Sequence, residues 1–367
     1  MAIRKNAEFM HEVIDKMDYM VRVMDLEHRV VYMNKKMRDI FGHTIGNMCY
    51  EIFGNNERCQ HCITTGAKYT GQPDSKDVEI EDRFYRVMSS PVNLGDDKSF
   101  SIELFQDITD QKKTELELLK HYKKLKDDIQ FAKHIQTQAL PKDGIYCNSF
   151  KIDSSYVQSE DLGGDLFDVV KLDDDRCFIY ISDVSGHGIK SSLLTIFLRQ
   201  VIRGTKTDSI YIKDILNELI KNFNDLNVGY EQYLTILGGI YDKKLNRITF
   251  ANAGHNCLPI FIKKGKDAEE IVVNGMPICS LINKSNHETV TLDLNKGDRI
   301  ALYTDGISEI YNSSNDKEFG AEGIIKTINR NLNVEGNTLI NKVMKMAINY
   351  SDRTPIDDMA ILIMEIL

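Results

Sequence analysis

Cys177-Phe-Ile-Tyr-Ile-Ser-Asp183 is followed at once by Val184-Ser-Gly-His-Gly188. A short apolar run between an aspartate-rich turn and a pair of glycines reads as a buried strand. Its last residue is an aspartate. Arg299-Ile-Ala-Leu-Tyr-Thr-Asp305-Gly306 repeats the arrangement far along the chain. A carboxylate at the end of a buried strand is partly desolvated and needs a cation or hydrogen-bond donors.

Further strands are predicted around these two, at 151–158, 166–172, 234–242, 247–253, 259–262, 289–294 and 359–367. Helical stripes fall between them: Ile212, Leu216, Leu219, Phe223 and Leu226 make one, and Leu339, Val343, Met346 and Ala347 another. Many antiparallel strands with helices inserted in groups predict an α+β sandwich, two packed sheets with helices outside.

Two more acidic sites flank strands. Gly163-Gly-Asp165-Leu-Phe-Asp168 opens one, and Asp357-Asp358 precedes the last. Any single aspartate at a strand end is adequately explained as a turn former. Several on one rim would repel one another unless divalent cations neutralised them. Ligands that are all oxygen suit Mg²⁺ or Mn²⁺. Two such ions could activate a water for attack on a phosphate ester, with no side-chain nucleophile. Asp165, Asp183 and Asp305 are the candidate catalytic residues. Asp358 points opposite to Asp357 on an extended strand, so one of the two is expected to be a ligand, with Asp357 preferred. Asp168, three positions from Asp165, is expected to face away from the site. Arg199 and Arg203 read as surface charge, and Asn252 and His255 as a hydrogen-bonded loop or a substrate contact.

The chain of 367 residues is long enough for two or three domains. Its net charge of −9 argues against nucleic acid as a partner. No stretch reaches the roughly eighteen apolar residues of a membrane span, and the start lacks a signal-peptide run. A cytoplasmic protein with reduced thiols is expected.

Residues 1–110 read as a small α/β domain. Tyr19–Asp25 and Arg29–Asn34 form a predicted hairpin, and Arg83–Ser90 and Ser99–Asp107 a second one around Leu94-Gly-Asp-Asp97. The element order, Asn34 after the second strand and the exit motif Asp107-Ile-Thr-Asp110 resemble a PAS sensor domain. Residues 111–141 then form a charged helix. Leu118, Tyr122, Leu125, Ile129, Ala132, Gln136 and Ala139 make a heptad seam that ends at Pro141. A parallel coiled coil, and hence a homodimer through this linker, is expected.

Residues 142–367 form the third part. Ala132-Lys-His-Ile-Gln-Thr-Gln-Ala-Leu-Pro141, Leu162-Gly-Gly-Asp-Leu-Phe-Asp168, Asp183-Val-Ser-Gly-His-Gly188, Asn252-Ala-Gly-His255, Leu302-Tyr-Thr-Asp-Gly306 and Asp357-Asp-Met-Ala360 occur in that order. They resemble the signature of SpoIIE-type phosphatases, a bacterial branch of the PPM (protein phosphatase 2C-like) family. The resemblance implies an αββα sandwich with two Mn²⁺ or Mg²⁺ ions between its sheets. It implies that Asp183 bridges both ions and that the Val184 carbonyl meets one of them. Asp305 and Asp357 would hold the second ion, and Asp165 would hold or orient the first. It also implies a phosphorylated STAS-domain (anti-anti-sigma-like) protein as substrate. Eukaryotic relatives carry a candidate acid, a histidine, two residues after the bridging aspartate. Ser185 stands there in this chain, with His187 displaced by two.

Cys49-x9-Cys59-x2-Cys62 has spacing compatible with zinc or an iron–sulfur cluster in the sensor part. Two other functions compete with the phosphatase. Gly163-Gly-Asp-Leu-Phe167 is similar to the GGDEF signature of diguanylate cyclases, but Leu166 stands where an acid is required. A non-catalytic module that kept the sandwich and lost the metals is the other.

Overall fold

The computed structural model describes the chain apart from residues 1, 94–98, 187, 206–210, 230, 285–286, 315 and 352–356, with residues 2–7 described by backbone alone. The turn expected at Leu94–Asp97 therefore lies outside the described residues. The chain divides into two units, Met1–Lys124 and Leu125–Leu367. No described helix is long and apolar enough to cross a membrane.

Unit 1 runs α1 (Ala2–Asp15), β1 (Met20–Met24), β2 (Val30–Met33), α2 (Lys35–Phe41), a 3₁₀ turn (Glu51–Phe53), α3 (Ile63–Thr70), β3 (Asp74–Ile80), β4 (Arg83–Asn93) and β5 (Ser99–Asp107). The strands form one antiparallel sheet ordered β2-β1-β5-β4-β3. Both expected hairpins are present, and β3 is an additional edge strand whose polar sequence, Asp74-Ser-Lys-Asp, concealed it. Met20, Met24, Met33, Tyr85, Val87 and Phe105 build the core on one sheet face. Asn34 is fully buried. Its oxygen accepts from the backbone of Val21 and Met37, and its amide donates to the carbonyls of Ile14 and Tyr19. One side chain thus caps α2 and ties it to β1 and to the end of α1. In the exit motif, Asp107 accepts from the Thr109 N–H, and the Thr109 hydroxyl accepts from the Phe84 N–H.

The helix α4 (Thr109–Ala139) crosses the boundary between the units. After it come β6 (Gly144–Tyr146), β7 (Phe150–Val157), β8 (Asp165–Lys171), β9 (Arg176–Val184), α5 (Ile189–Gly204), α6 (Ile212–Leu226), β10 (Tyr233–Asp242), β11 (Arg247–Ala253), β12 (Ile260–Ile262), β13 (Glu269–Glu270), β14 (Ile278–Cys279), β15 (Thr289–Asp293), β16 (Arg299–Tyr303), α7 (Asp305–Ser308), β17 (Tyr311–Asn312), β18 (Lys317–Glu318), α8 (Gly320–Asn329), α9 (Gly336–Tyr350) and β19 (Met359–Ile366). Two sheets result. One is ordered β15-β11-β10-β9-β8 with β14 on β10, the other β13-β12-β16-β19-β7-β6.

Alternation along the strands explains the layering. Phe167, Val169, Ile179 and Ile181 meet Leu302, Leu362 and Met364 between the sheets. Leu166, Val170, Phe178 and Tyr180 point outward and are covered by Leu198, Leu216 and Phe223 of α5 and α6. Ile361 and Ile363 are covered by Leu339, Ile340 and Val343 of α9. The expected αββα sandwich is what these two outer cores and one inner core amount to.

One expectation needs correction. The α4 seam is not uniform: Leu118, Tyr122 and Leu125 are exposed, whereas Ile129, Ala132 and Ala139 are partly covered and Gln136 is fully buried. The second half of the seam is therefore committed to unit 2. The β6–β7 turn brings Cys147 beside Cys177 at the start of β9.

Candidate metal centre

Strand register brings the acids together. Asp165 opens β8 directly opposite Asp183 near the end of β9, and Thr235 of β10 lies opposite Asp183 on the other side. Both aspartates share the parity of Phe167 and Ile181, which places them on the inter-sheet face. In the facing sheet β16 runs into Thr304 and Asp305, and β19 begins just after Asp357-Asp358.

Asp358 is buried and its carboxylate is fully used by the protein. One oxygen accepts from the Ser159 N–H at 2.8 Å and hydroxyl at 3.1 Å. The other accepts from the Gly164 N–H at 2.8 Å and the Tyr156 hydroxyl at 3.4 Å. Asp358 thereby ties the loop before β8 to the start of β19. A Cβ on Gly163 would overlap the Tyr156 hydroxyl and the Asp358 carboxylate, so only glycine allows this approach. Asp357 is exposed, and one of its oxygens accepts from the Asp358 N–H at 2.8 Å.

The electrostatics report how close the acids are. Burial, and then the charges of Asp305, Asp357 and Asp358, push the Asp183 carboxyl up to about 7. Asp165 is driven well above the ordinary carboxylate range by burial and by Asp183, against a Thr304 hydroxyl that lowers it. Burial also raises Asp305, opposed by the Gly306 N–H. Such a group of carboxylates favours either protons or cations.

Whether the residues fit hard cations can be judged from the donors. Asp165 Oδ2 is buried without a hydrogen-bond partner, an acceptor aimed at nothing the described protein supplies. All the candidate ligands are oxygens. Among the described residues no three His, Cys, Asp or Glu side chains converge tightly enough to cage an ion. The fit to hard cations rests instead on the all-oxygen donor set and on the unpartnered, buried Asp165 Oδ2.

Two further residues hold the frame. Gln136 of α4 is 1% exposed. Its amide donates to the Gly163 carbonyl at 2.7 Å and to the Thr195 hydroxyl at 3.2 Å. Its oxygen accepts from the Gly163 N–H at 3.2 Å and the Gln158 amide at 3.1 Å. His255 bridges the sheets: Nε2 meets the Tyr303 carbonyl at 3.0 Å and Nδ1 the Thr235 hydroxyl at 3.1 Å. Burial pushes its imidazole down to about 4, so it is neutral. Asn252 closes the turn beneath it, accepting from the His255 N–H at 2.7 Å and donating to the His255 carbonyl at 2.9 Å. For His255 and Asn252 the hydrogen-bonded-loop expectation describes these contacts.

Asp168 faces the helix layer, away from the other acids, as expected. The reading of Arg199 and Arg203 as surface charge was wrong. Arg203 clamps the fully buried Asp168 with bonds of 2.7 and 2.8 Å, and Arg199 pairs with it at 3.1 Å. His187 lies outside the described residues, and Ser185 bonds to the Tyr233 backbone. Glu309 was missed. Burial raises its carboxyl, as do Asp305, Glu318 and Asp357, so it borders the acid group. Its four-residue spacing from Asp305 on a helical turn was the available signal.

The cysteine expectation is also corrected. Cys49, Cys59 and Cys62 do not form a metal-holding group among the described residues. Cys49 is buried in the core, which pushes its thiol up to about 11. Cys62 caps α3, where burial raises its thiol but hydrogen bonds involving Thr65, Arg58 and Thr64 outweigh it. Cysteine spacing on a loop and a helix start did not fix side-chain convergence.

Two packed sheets, helices on both outer faces and acids at one end of the inter-sheet space define the architecture of PP2C-type phosphatase domains. The SiaA-PP2C domain of Pseudomonas aeruginosa superposes with a TM-score of 0.56 at 18% identity, over 67% of this chain and 98% of that one. The family model "Stage II sporulation protein E (SpoIIE)" matches residues 173–367, more than half of the chain, and the chain belongs to that family. It is 28% identical over 187 residues to phosphoserine phosphatase RsbP of Bacillus subtilis (strain 168), covering 50% of this chain and 46% of RsbP. It is 24% identical over 188 residues to phosphoserine phosphatase RsbU of the same organism, covering 50% and 54%. The chain thus spans about half the length of the curated relatives it matches. Within this family the GGDEF-like reading of Gly163–Phe167 has no support, since those residues lead into β8 of the sandwich.

Proposed function

We propose that unit 2 is a metal-dependent phosphoserine/phosphothreonine phosphatase acting on a phosphorylated STAS-domain protein. The single observation that carries the reading is that Asp165 and Asp183 stand directly opposite each other on the inter-sheet face, with burial and the charges of Asp305, Asp357 and Asp358 raising the proton affinity of Asp183. The two relatives named as phosphoserine phosphatases support the same chemistry. The STAS substrate rests on the resemblance to SpoIIE-type enzymes.

In this reading Asp183, the Val184 carbonyl and Asp165 would hold one Mn²⁺ or Mg²⁺ ion, and Asp183, Asp305 and Asp357 a second. Such ions lower the pKa of water and neutralise phosphate oxygens. Asp358 is a positioning residue, because both of its oxygens are saturated by protein donors. It fixes Gly164, and through it Asp165, against β19. His255 holds Thr235 and Tyr303, the neighbours of Asp183 and Asp305, at a set separation.

Unit 1 is read as a PAS-type sensor, supported by its β2-β1-β5-β4-β3 sheet and by Asn34 closing the first hairpin onto α2. The bare apolar residues Leu118, Tyr122 and Leu125 support a homodimer through the first half of the linker.

The test is hydrolysis of p-nitrophenyl phosphate and of a phosphorylated STAS protein with and without Mn²⁺. Wild type should be active only with the ion, and Asp183→Ala inactive. Equal inactivity of both proteins, with metal still bound, would favour the non-catalytic module.

A further inference from the structure

Unit 1 contains a cavity of about 750 Å³ between the β1–β2 turn, α3 and the open ends of β4 and β5. Its polar wall includes the cations Arg58 and Lys68. Arg58 bonds to His28 Nε2 and to the Thr65 hydroxyl, and Lys68 stands one helical turn from Thr65. Neither Arg58 nor Lys68 forms an ion pair among the described residues. A guanidinium only donates, so His28 Nε2 is the acceptor and Nδ1 of the neutral ring carries the hydrogen. That Nδ1 is buried and has no partner. Burial, and then Arg58, lower the His28 pKa, in keeping with a neutral ring. An unsatisfied buried donor costs about 1–3 kcal/mol, and His28 is also held at φ +67°, a conformation that non-glycine residues rarely adopt.

The inner wall is polar for a second reason. Thr64 lines the cavity and donates to Glu103 at 2.8 Å. Glu103 pairs with Arg22 at 2.7 Å, and both are almost wholly buried. Arg22 in turn donates to the Cys49 carbonyl and lies over the Phe53 and Phe105 rings. A buried ion pair is weak evidence for stability, so its place directly behind a cavity wall suggests recognition. Leu26, Pro91 and Phe100 supply apolar wall, beside the polar Asn93, Ser99 and Ser101. Asp25 and Glu27 also line the cavity. Asp25 is occupied by the Glu27 and Arg29 N–H groups, and the two acids disfavour a ligand of high negative charge.

We propose that this cavity binds a small organic monocarboxylate, its carboxylate on Arg58 and Lys68 and its hydrocarbon part against Leu26 and Phe100. Charge-assisted bonds from a guanidinium and a lysine select the ionised acid over an uncharged isostere. The proposal concerns unit 1 alone, so its failure leaves the phosphatase reading untouched.

The test uses the full chain and calorimetric titration with benzoate and phenylacetate, with benzamide, phenylacetamide and inorganic phosphate as comparisons. Both acids are expected to bind saturably, the amides at least about tenfold more weakly. Arg58→Gln and Lys68→Gln should each weaken the acids by about tenfold while leaving the amides unchanged. Lys68→Gln removes no hydrogen bond or ion pair found among the described residues, so it remains informative if Arg58→Gln unfolds unit 1. Absence of binding by either acid, equal affinity for acid and amide, or insensitivity of a folded Lys68→Gln protein would overturn the proposal. Phosphate binding as tightly as the acids would also overturn it, in favour of a plain anion site.

Discussion

Gln136 and Gly163 exchange two hydrogen bonds, amide to carbonyl and backbone N–H to amide oxygen, although they lie 27 residues apart. Gly163 precedes Gly164, whose N–H holds Asp358, and Asp165 follows. A side chain of the linker helix is thus two covalent steps from the acid centre. Gln136→Ala would leave both buried backbone groups of Gly163 without their partners, which costs about 1–3 kcal/mol each when water cannot replace them. We expect a lower melting temperature of unit 2 and a weaker apparent Mn²⁺ affinity, both measured on the full chain. Unchanged Mn²⁺ affinity in a folded variant would uncouple the helix from the centre. Inserting one residue near Leu125 should alter activity while leaving every acid in place.

The acids should make the metal-free protein less stable as pH rises. Asp183 has a native value of about 7, above its ordinary 3.8. Between these values the native state holds more protons than the unfolded one, so this stabilisation is present at low pH and lost as pH rises through 7. Thermal melts in chelator should show that slope in wild type and a shallower one in Asp183→Asn. Added Mn²⁺ must displace the proton, so its stabilising effect should grow from about pH 6 to pH 8.

His255 acts with the opposite sign. Its native value of about 4 lies below the ordinary 6.5, so its contribution is complete above 6.5 and lost as pH falls through 4. His255→Ala should remove that acid-side loss and destabilise the protein at neutral pH by about 1–3 kcal/mol, the cost of leaving buried partners unpaired. Denaturant melts at acid and neutral pH separate the two effects.

Asp168 provides the control for stability without chemistry. Removing it strands the guanidinium groups of Arg199 and Arg203 against a fully buried position. Asp168→Ala should cost about 3–5 kcal/mol, as for a broken buried pair. Residual folded protein should keep its Mn²⁺ affinity, because Asp168 points away from the inter-sheet space. A selective loss of metal binding would contradict that placement.

The linker seam predicts concentration-dependent association. Leu118→Lys together with Leu125→Lys should shift the full chain toward monomer in sedimentation velocity, with the melting of unit 2 unchanged. A wild type that stays monomeric at high concentration would remove the basis for a coiled coil.

Much of the fold was legible because local pattern and burial agree. Nine predicted strands of unit 2 are observed within one or two residues of their expected ends, since their alternation or apolar run reflects a sheet face directly. The short strands β13, β14, β17 and β18 were not, because two residues carry no period. Asp165, Asp183 and Asp305 could be singled out from strand ends and glycines. Neither the parity rule nor spacing could say that Asp358 would be consumed by Ser159 and Gly164, or that Glu309 would border the group. The same limit applies to the cysteines at 49, 59 and 62, whose spacing suggested ligands and whose side chains do not converge.

Chain order and hydrophobic period are local properties, so the amino-acid sequence sufficed for the strands, the sandwich class and the acids worth watching. Partnership is not local. Which glutamine of the α4 seam turns inward, which arginines neutralise Asp168, and which of two adjacent aspartates the protein keeps for itself depend on surfaces brought together across the sheets. Desolvation at those surfaces, which sets both hydrogen-bond demand and proton affinity, exists only once the two sheets have packed.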